Sequence, residues 1–357
     1  MFTLEVKNFG VLKDINIELN KTNLFIGENG SGKSVLAKLI TIIKSFYYFS
    51  ENLINEFNKY DINFFNENSS IKLFDNTGII LDITNKSIHF SDKVKLALSK
   101  RDLLTKKIDY LGLSETMEVN DFMPISFIAQ YIPAERNLIS LLNKSIYSLI
   151  TSDIPLPKHL LQFASQYEKS KTEITELDLL DMTFKSQNGQ DKVYYDEENY
   201  LPLENSSSGI QTALPLYLTI KYFNKKHNDI IIEEPEQNLY PRAQMDTVKY
   251  IVENSSDSLY LMTHSPYILS TLNILLFAYK ASNTNRILKE KISKIIPEPQ
   301  QINPDEFSAY LIKDGVSKSI KGKTTGLITE NVIDEVGDII DNEFSELMEI
   351  YREFKNV

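Results

Sequence analysis

Apolar and polar residues follow two different periods along this chain. Residues 2 to 26 alternate with the two-residue period of β-strands, turn at Gly10, and end in the short apolar run Asn23–Ile26. From Val35 to about residue 60, apolar residues recur at helical spacing. The pattern therefore predicts a strand hairpin, a third strand and then a helix.

The next part of the chain predicts a mixture of short elements. Residues 71–90 return to short alternating runs broken by turn residues, which indicates a small antiparallel meander. Residues 93–118 have helical spacing, and Ile125–Ile132 predicts a strand that runs into Pro133. For residues 137–204 we expect a compact helical insertion with a hairpin-like turn at Asn188-Gly189, because no heptad pattern is sustained there.

After residue 205, strands and helices alternate clearly. The predicted order is a helix at 209–226, a strand at 229–232, a helix at 241–254, a strand at 259–262 and a helix after Pro266. Such alternation is typical of a parallel sheet covered by helices on both faces, so we predict the α/β class.

Composition narrows the class of protein. The chain has 357 residues, of which 42% are hydrophobic, and no apolar run reaches the roughly 18 residues of a membrane-spanning helix. Since no basic leader is visible either, we expect a cytoplasmic protein that does not enter a membrane. The absence of cysteine excludes disulfides, cysteine-bound zinc and iron–sulfur clusters. A net charge of −11 argues against nonspecific DNA binding by the whole surface, but leaves room for a local basic groove.

The segment GENGSGKS at Gly27–Ser34 matches the phosphate-binding pattern G-x-x-x-x-G-K-[ST], with a predicted strand before it and a helix after it. Glycines allow the backbone N–H groups to approach a phosphate, which also lies at the positive end of the new helix. Lys33 would contact β- and γ-phosphate oxygens, and the Ser34 hydroxyl would bind Mg²⁺. The predicted contact residues are Gly27, Asn29, Gly30, Ser31, Gly32, Lys33 and Ser34. The alternative is a glycine-rich turn that arose by chance.

Two strand ends carry further candidate residues. Glu233 and Glu234 follow the apolar strand Ile230–Ile232, at the edge of the sheet where α/β proteins bind ligands. Glu233 would hold Mg²⁺, and Glu234 would orient or deprotonate the water that attacks the γ-phosphate. His264, at the end of the next strand, would contact that phosphate or position the water. The alternatives are a solvated pair of loop acids and a histidine placed there by coincidence.

The order of GENGSGKS, FIAQYIP, SSSGIQ, IIIEEPE and MTHSP resembles the ABC-type ATPase head. It is most similar to the branch that contains SMC proteins, DNA-repair ATPases, and OLD-like, Septu-type or retron-associated defence ATPases. The resemblance implies an ABC-ATPase-type P-loop fold with a mixed, largely parallel central sheet, N-terminal antiparallel strands and a helical insertion. It implies a single head, with a nucleotide-binding core at 1–49, 124–136 and 205–278, variable segments at 50–123 and 137–204, and a C-terminal strand and acidic helix at 279–357.

The same resemblance implies roles for further residues. Gln130 takes the place of the glutamine that contacts the metal and senses the γ-phosphate, with an ordinary strand-end glutamine as the alternative. Ser207 and Gly209 take the serine and glycine positions of a degenerate signature motif, with Ser208 as the alternative in a register shifted by one. In the family this motif clamps the ATP of the opposite protomer, so a head-to-tail homodimer or a higher homo-oligomer is implied.

One departure from the family pattern and one further residue of a segment that resembles the same branch matter for the site. Glu233 stands where the family usually has an aspartate, which is one methylene shorter. Arg136, in the segment IPAERN, is a candidate for a γ-phosphate or inter-subunit contact, with a structural salt bridge as the alternative.

The C-terminal third predicts no second catalytic site. We find no acidic cluster of the Toprim nuclease type there, but a predicted strand at 307–313, four lysines and a final helix at 330–354. The lysines, Lys313, Lys318, Lys321 and Lys323, would either meet phosphates or lie in a solvated turn. The helix has one apolar and one strongly acidic face, which would dock a basic partner, repel DNA or simply pack against the head.

Together, these features predict an ATP- and Mg²⁺-dependent ATPase whose dimerisation controls a separate effector, such as a nuclease or a toxin. The resemblance places it in anti-phage defence or DNA transactions, with DNA or RNA contact through a local patch. Two other functions stay open: the ATPase subunit of a membrane transporter, and a slow nucleotide sensor or scaffold that restrains a toxin.

Overall fold

The fold was obtained as a computed structural model, which describes residues 2–45, 53–99, 129–142, 156–187, 190–224, 226, 228–329 and 342–348. Predictions for residues 100–128, for residues 143–155 of the predicted helical insertion, for the turn at 188–189 and for most of the final helix lie outside the described residues.

Fifteen strands are found among these residues. They are β1 Phe2–Phe9, β2 Leu12–Leu19, β3 Thr22–Ile26, β4 Ser70–Asp75, β5 Gly78–Thr84, β6 Ile88–Phe90, β7 Gln130–Ile132, β8 Glu176–Leu179, β9 Met182–Gln187, β10 Gln190–Tyr194, β11 Tyr200–Pro202, β12 Ile230–Glu233, β13 Leu259–Thr263, β14 Phe307–Lys313 and β15 Val316–Ser319. Eleven of the described strands form one mixed sheet in the order β6-β5-β4-β1-β2-β15-β14-β3-β13-β12-β7.

The half of this sheet that matters for function is parallel. Strands β14, β3, β13, β12 and β7 run in the same direction, and all five residues of β3 and of β13 are buried. Burial on both faces explains why these strands are nearly continuous apolar runs in the sequence. The other half is antiparallel and contains the predicted N-terminal hairpin and meander. The predicted α/β fold with a mixed sheet and N-terminal antiparallel strands is therefore confirmed.

Helices cover both faces of the sheet. They are α1 Lys33–Lys44, α2 Leu53–Lys59, α3 Asn137–Leu142, α4 Lys158–Glu173, α5 Ser208–Asn224, α6 Pro241–Glu253, α7 Pro266–Ser282 and α8 Arg286–Ile292, with further helical stretches at 92–99 and 342–348. Buried residues of α1 and α2 share one hydrophobic cluster with one face of the sheet, and those of α4, α5 and α7 share a second cluster with the other face. None of the described helices is long and apolar enough to cross a membrane.

The segment predicted as a helical insertion contains a second sheet. Strands β8 to β11 form an antiparallel sheet of four strands at residues 176–202, after helix α4. Its apolar residues alternate with polar ones, as at Leu177 and Leu179, and these two side chains are buried in the cluster that includes α5. A two-residue period buries one face of a strand, so short alternating runs formed a sheet here, where only a hairpin-like turn within a helical insertion had been expected.

The C-terminal strand enters the middle of the main sheet. The predicted strand at 307–313 is β14, which pairs with β3, the strand that leads into the glycine-rich loop. Lys321 donates hydrogen bonds to the carbonyls of Pro304 at 2.6 Å and Phe307 at 2.8 Å, so this lysine ties down the chain rather than facing a phosphate. In the described part of the last helix, Phe344 and Leu347 are exposed, which disagrees with the packed helix that was one of the alternatives for this segment.

Candidate functional site

The glycine-rich loop lies between β3 and α1 at the carboxyl end of the parallel strands. Gly27 has no room for a side chain, since a Cβ there would lie 2.2 Å from the carbonyl oxygen of Ile312 in β14. Gly32 precedes α1 with a φ of 102°, a left-handed conformation that glycine adopts without strain. The two glycines thus allow the loop to approach β14 closely and to turn sharply before α1.

Lys33 is held within this loop. Its ammonium donates to the carbonyl oxygens of Gly27 at 2.7 Å and Glu28 at 2.8 Å, and the side chain is buried. Desolvation lowers the pKa of Lys33, while the carboxylates of Glu234, Glu236, Glu233 and Glu28 oppose that shift. The lysine therefore lies among acidic groups. When a phosphate binds, the Lys33 ammonium would give up its hydrogen bonds to carbonyl oxygens and form a stronger hydrogen bond to a charged phosphate oxygen.

Glu233 is joined to the loop through Ser34. The Ser34 hydroxyl donates to Oε2 of Glu233 at 2.8 Å, and the Tyr131 hydroxyl donates to Oε1 at 2.6 Å. Desolvation raises the pKa of Glu233, and the two hydrogen bonds oppose that rise. Tyr131 was not predicted from the sequence. It contacts Glu233 because β7 and β12 are neighbours with Tyr131 beside Ile231 in register.

The oxygens of Ser34 and Glu233 fit a magnesium ion. Both are hard ligands, and they lie within hydrogen-bond distance of each other. In the described part of the chain there is no group of three or more acidic, histidine or cysteine residues that would hold a metal without other ligands. Mg²⁺ commonly takes one or two protein ligands and completes its shell with phosphate oxygens and water, which suits this pair.

Glu234 and His264 approach each other at the ends of β12 and β13. Nδ1 of His264 lies 3.7 Å from Oε1 of Glu234. Glu234 has a φ of 45°, which is uncommon for a residue other than glycine, and its N–H donates to the carbonyl of Met262 at 2.8 Å. The two candidate catalytic residues are therefore brought together, with Glu234 held in an unusual backbone conformation.

Glu236 belongs to the same group, although the sequence interpretation gave it no role. Its Oε1 accepts hydrogen bonds from the Thr263 hydroxyl at 2.7 Å and the His264 N–H at 3.0 Å, and lies 3.7 Å from Nδ1 of His264. Its other oxygen, Oε2, is buried and has no hydrogen-bond partner within the described chain. The segment IIIEEPE contained this third carboxylate, and only the pairing of the strands shows which group it serves.

Gln130 is not brought to this group. It pairs with Ile230 at the amino end of β12, whereas Glu233 is at the carboxyl end. Neighbouring residues of a strand point to opposite faces, so Gln130 points away from the face on which Tyr131 meets Glu233. There its amide oxygen accepts a hydrogen bond from Gln166 of α4. The predicted metal role of Gln130 is therefore not supported by this geometry.

The segment Ser207–Gly209 forms the start of α5. Ser207 precedes the helix, and its hydroxyl accepts a hydrogen bond from the N–H of Ile210 at 3.4 Å, as an N-cap residue does. Ser207 and Ser208 are exposed. Gly209 packs against the turn after Glu234, because a Cβ there would lie 3.0 Å from the carbonyl oxygen of Asn238. The predicted signature segment is thus an exposed helix start.

Arg136 does not make the contacts that were considered for it. Its side chain is fully buried, and its guanidinium donates to backbone carbonyl oxygens, including those of Glu233 at 2.8 Å and Glu234 at 2.6 Å. A fully buried side chain cannot reach across to another subunit, so the inter-subunit role considered for Arg136 is wrong. The salt bridge considered as the alternative does not describe these contacts either, since the hydrogen bonds of Arg136 are made to carbonyl groups.

Comparison with known protein families matches part of the chain to an ATPase domain. Residues 157–269, about a third of the chain, match the family described as AAA ATPase domain. The matched segment contains Glu233, Glu234 and His264, while the glycine-rich loop lies before it. No curated protein sequence gives a significant match. The family match supports the prediction that the chain is an ATP-binding ATPase.

Several solved structures of SMC heads are similar to the chain. They are the SMC head bound to the C-terminal winged-helix domain of ScpA (12% identity, TM-score 0.42, 89% of this chain and 96% of that one), the SMC head domain from Thermotoga maritima (12%, 0.41, 89% and 97%), and the SMC head domain with an extended coiled coil bound to the C-terminal domain of ScpA, derived from Pyrococcus furiosus (12%, 0.34, 90% and 96%). At this level of similarity, they say nothing about what this chain binds.

Proposed function

We propose that this chain is an ABC-type ATPase head that hydrolyses ATP and works as a switch through ATP-dependent dimerisation. The observation that carries this proposal is the 2.8 Å hydrogen bond between Ser34 and Glu233, which joins the glycine-rich loop to the strand end where Glu234 and His264 lie 3.7 Å apart. The groups proposed to bind phosphate and to activate water thus lie at one edge of the sheet.

The loop and the strand ends would divide the work on ATP. Lys33 and the backbone N–H groups at the start of α1 would bind the phosphates, because they supply positive charge next to Gly27 and Gly32. Ser34 and Glu233 would hold Mg²⁺, which when bound neutralises part of the phosphate charge. That neutralisation matters here because Lys33 is surrounded by carboxylates.

Glu234 would orient or deprotonate the attacking water. Its carboxylate is close to the imidazole of His264, whose backbone is fixed by Glu236. An imidazole has both a donor and an acceptor nitrogen, so His264 would hold either the water or a γ-phosphate oxygen in line.

A second copy of the chain would complete the site. Ser207 and Ser208 are exposed at the start of α5, where the positive end of the helix dipole favours an anion. We therefore propose that this helix start contacts the γ-phosphate of ATP held by the partner's glycine-rich loop. The dimer would close with ATP and open after hydrolysis.

The partner controlled by this switch would be a separate effector, such as a nuclease or toxin, in anti-phage defence or a DNA transaction. This part of the proposal rests on the motif resemblance and on the absence of a second set of catalytic motifs in the sequence. An effector that co-purifies with the chain and changes its activity when ATP is added would support it.

The dimer can be tested with a Glu234→Gln variant, which keeps the side-chain volume but removes the base. With ATP and Mg²⁺ this variant should run as a dimer in size-exclusion chromatography with light scattering, and as a monomer with ADP. Lys33→Ala in the same background is the control and should stay monomeric. A Glu234→Gln protein whose mass does not depend on the nucleotide would contradict the proposal.

A further inference from the structure

Arg136 is a buried cation whose hydrogen bonds all lead to the backbone of three separate segments. Its Nε donates to the carbonyl of Thr212 at 3.2 Å, Nη1 to those of Pro133 at 3.1 Å and Glu233 at 2.8 Å, and Nη2 to that of Glu234 at 2.6 Å. These carbonyls belong to the end of β7, the first turns of α5 and the end of β12. One side chain therefore fixes three elements relative to each other.

The guanidinium is suited to this task because its donors are fixed in a plane. Desolvation lowers the pKa of Arg136 to about 10, while carboxylates led by Glu236 oppose the shift, so the group is charged near neutral pH. Hydrogen bonds from a charged donor are stronger than neutral ones, and a fork of several such bonds allows little relative movement of the accepting carbonyls.

At one end, Arg136 holds the peptide of Glu234. That residue has a φ of 45°, its N–H is bonded to Met262, and its carbonyl accepts from Arg136. Hydrogen bonds thus fix both the N–H and the carbonyl group of a residue that has an uncommon backbone conformation. Since this conformation decides where the carboxylate points, Arg136 acts on the candidate base without touching the substrate.

At the other end, Arg136 holds the start of α5. Thr212, whose carbonyl it contacts, is one turn after Ser208, and the Thr212 hydroxyl accepts a hydrogen bond from the Asn238 amide at 3.1 Å. Gly209 packs against the carbonyl of Asn238. The first turn of α5 and the turn after Glu234 therefore pack against each other, and Arg136 is hydrogen-bonded to both segments.

We propose that Arg136 is a positioning residue that couples the start of α5 to the carboxylate of Glu234. Contact of Ser207–Gly209 with the partner's γ-phosphate would then affect the position of the Glu234 carboxylate in the same protomer. Hydrolysis would in this way be linked to closure of the dimer. The inference rests on the proposed function, since it needs both the ATPase reaction and the composite site. It predicts that a defect at Arg136 affects turnover and spares nucleotide binding.

An Arg136→Lys variant tests this, because lysine keeps the charge but loses the planar fork. ATP affinity, measured by titration with a fluorescent ATP analogue, should stay within about threefold of wild type, while kcat should fall by about 30-fold or more, as misplaced catalytic groups commonly cause. In the Glu234→Gln background, Arg136→Lys should still dimerise with ATP, since loss of the base already blocks turnover.

Lys44→Met is the matched control. Lys44 is also a buried cation, paired with Asp229 at 2.9 Å, but it lies at the last turn of α1, away from Ser34. Its loss leaves Asp229 buried without this partner and should lower the melting temperature. Measured well below its melting temperature, kcat of Lys44→Met should stay within about twofold of wild type, because an effect on stability alone does not move the base.

Two results with Arg136→Lys would overturn the inference: kcat within about threefold of wild type, or ATP affinity that falls in parallel with kcat. If that variant does not fold, Arg136→Gln takes its place, because glutamine keeps an N–H donor but loses the charge and the planar fork that reach the Thr212 and Glu234 carbonyls. It should lower kcat with ATP affinity unchanged, and an unchanged kcat would overturn the inference. If wild type itself does not hydrolyse ATP, the proposed function fails instead.

Discussion

The hydroxyl of Tyr131 donates a 2.6 Å hydrogen bond to the carboxylate of Glu233, from the neighbouring parallel strand. Ser34 occupies the other carboxylate oxygen, so Glu233 is held from both sides. A glutamate is one methylene longer than an aspartate and has one more rotatable bond. The tyrosine hydroxyl limits that freedom and keeps the carboxylate beside Ser34, where the magnesium ligands are proposed.

Tyr131→Phe should therefore weaken Mg²⁺ binding. Loss of a hydrogen bond that orients a metal ligand commonly lowers metal affinity by about 10- to 100-fold, and we expect the Mg²⁺ concentration for half-maximal ATP binding to rise by about 10-fold. ATP binding in the presence of EDTA should not change. Titration of Mg²⁺ with a fluorescent ATP analogue measures both.

Tyr60→Phe is the matched control for this prediction. Tyr60 lies edge-on to the Tyr131 ring with centroids 5.7 Å apart, and the substitution keeps its ring. Its Mg²⁺ dependence should match that of wild type. An equal Mg²⁺ requirement for Tyr131→Phe and wild type would contradict the role of the tyrosine hydroxyl.

Gly27→Ala and Gly30→Ala should differ in severity. A Cβ at Gly27 would lie 2.2 Å from the Ile312 carbonyl, so β14 or the loop would have to move, and phosphate binding should be lost. At Gly30 nothing lies within 4 Å of the new Cβ, and only the φ of 79° adds strain, about 1–2 kcal/mol. Isothermal titration with ATP should show loss of binding for Gly27→Ala and retained binding for Gly30→Ala. Equal affinities would show that β14 does not constrain the loop.

Local motifs explain why much of the fold and site was predictable. The glycine-rich loop, the acidic end of β12 and the position of His264 each follow from a short segment with a strand before it. Parallel strands place their carboxyl ends at one edge, so the segments meet without any knowledge of long-range contacts. Glu233, Glu234 and His264 were predicted on this basis.

The contacts that the sequence could not predict depend on strand register and on the face of the sheet to which each side chain points. Gln130 and Tyr131 are adjacent, yet only Tyr131 points to Glu233, and this is decided by the pairing of β7 with β12. The role of Arg136 likewise depends on carbonyls about 76 to 98 residues away along the chain. The sheet at 176–202 was missed because its alternating runs are only a few residues long.

Glu236→Ala should impair both stability and turnover. It removes the acceptor for the Thr263 hydroxyl and the His264 N–H, and buried donors left without a partner cost about 1–3 kcal/mol. Glu236→Gln keeps an amide oxygen as acceptor and should retain most of the stability. Urea unfolding and kcat measured on both variants test this. If Glu236→Ala unfolds at the same urea concentration as wild type, the carboxylate does not fix His264.

His159 should make the stability depend on pH. Burial lowers the pKa of His159, Lys38 lowers it further, and Glu135 and Asp61 oppose the shift. Its ring stacks on Tyr60 at 6.0 Å and meets the edge of Tyr131 at 5.8 Å, and its Nδ1 has no hydrogen-bond partner within the described chain.

Since its folded pKa lies below the unfolded value of about 6.5, the unfolded state takes up the proton first as pH falls. The contribution is intact above pH 6.5 and is lost as pH falls towards the folded pKa. Between pH 8 and 5.5, wild type should lose more unfolding free energy than His159→Phe, measured by urea unfolding. Parallel pH curves for the two proteins would contradict this assignment.

The composite site is the central claim, and two inactive variants test it most directly. Lys33→Ala removes the loop lysine but keeps Ser207, whereas Ser207→Asp keeps the loop and the helix cap but puts a negative charge where the partner's γ-phosphate is proposed. Each variant alone should show no ATP turnover. When the two variants are mixed in equal amounts with ATP and Mg²⁺, each mixed dimer has one site built from two intact halves, and the mixture should regain up to about half of wild-type activity. A mixture as inactive as either variant alone would contradict a site shared between two copies of the chain.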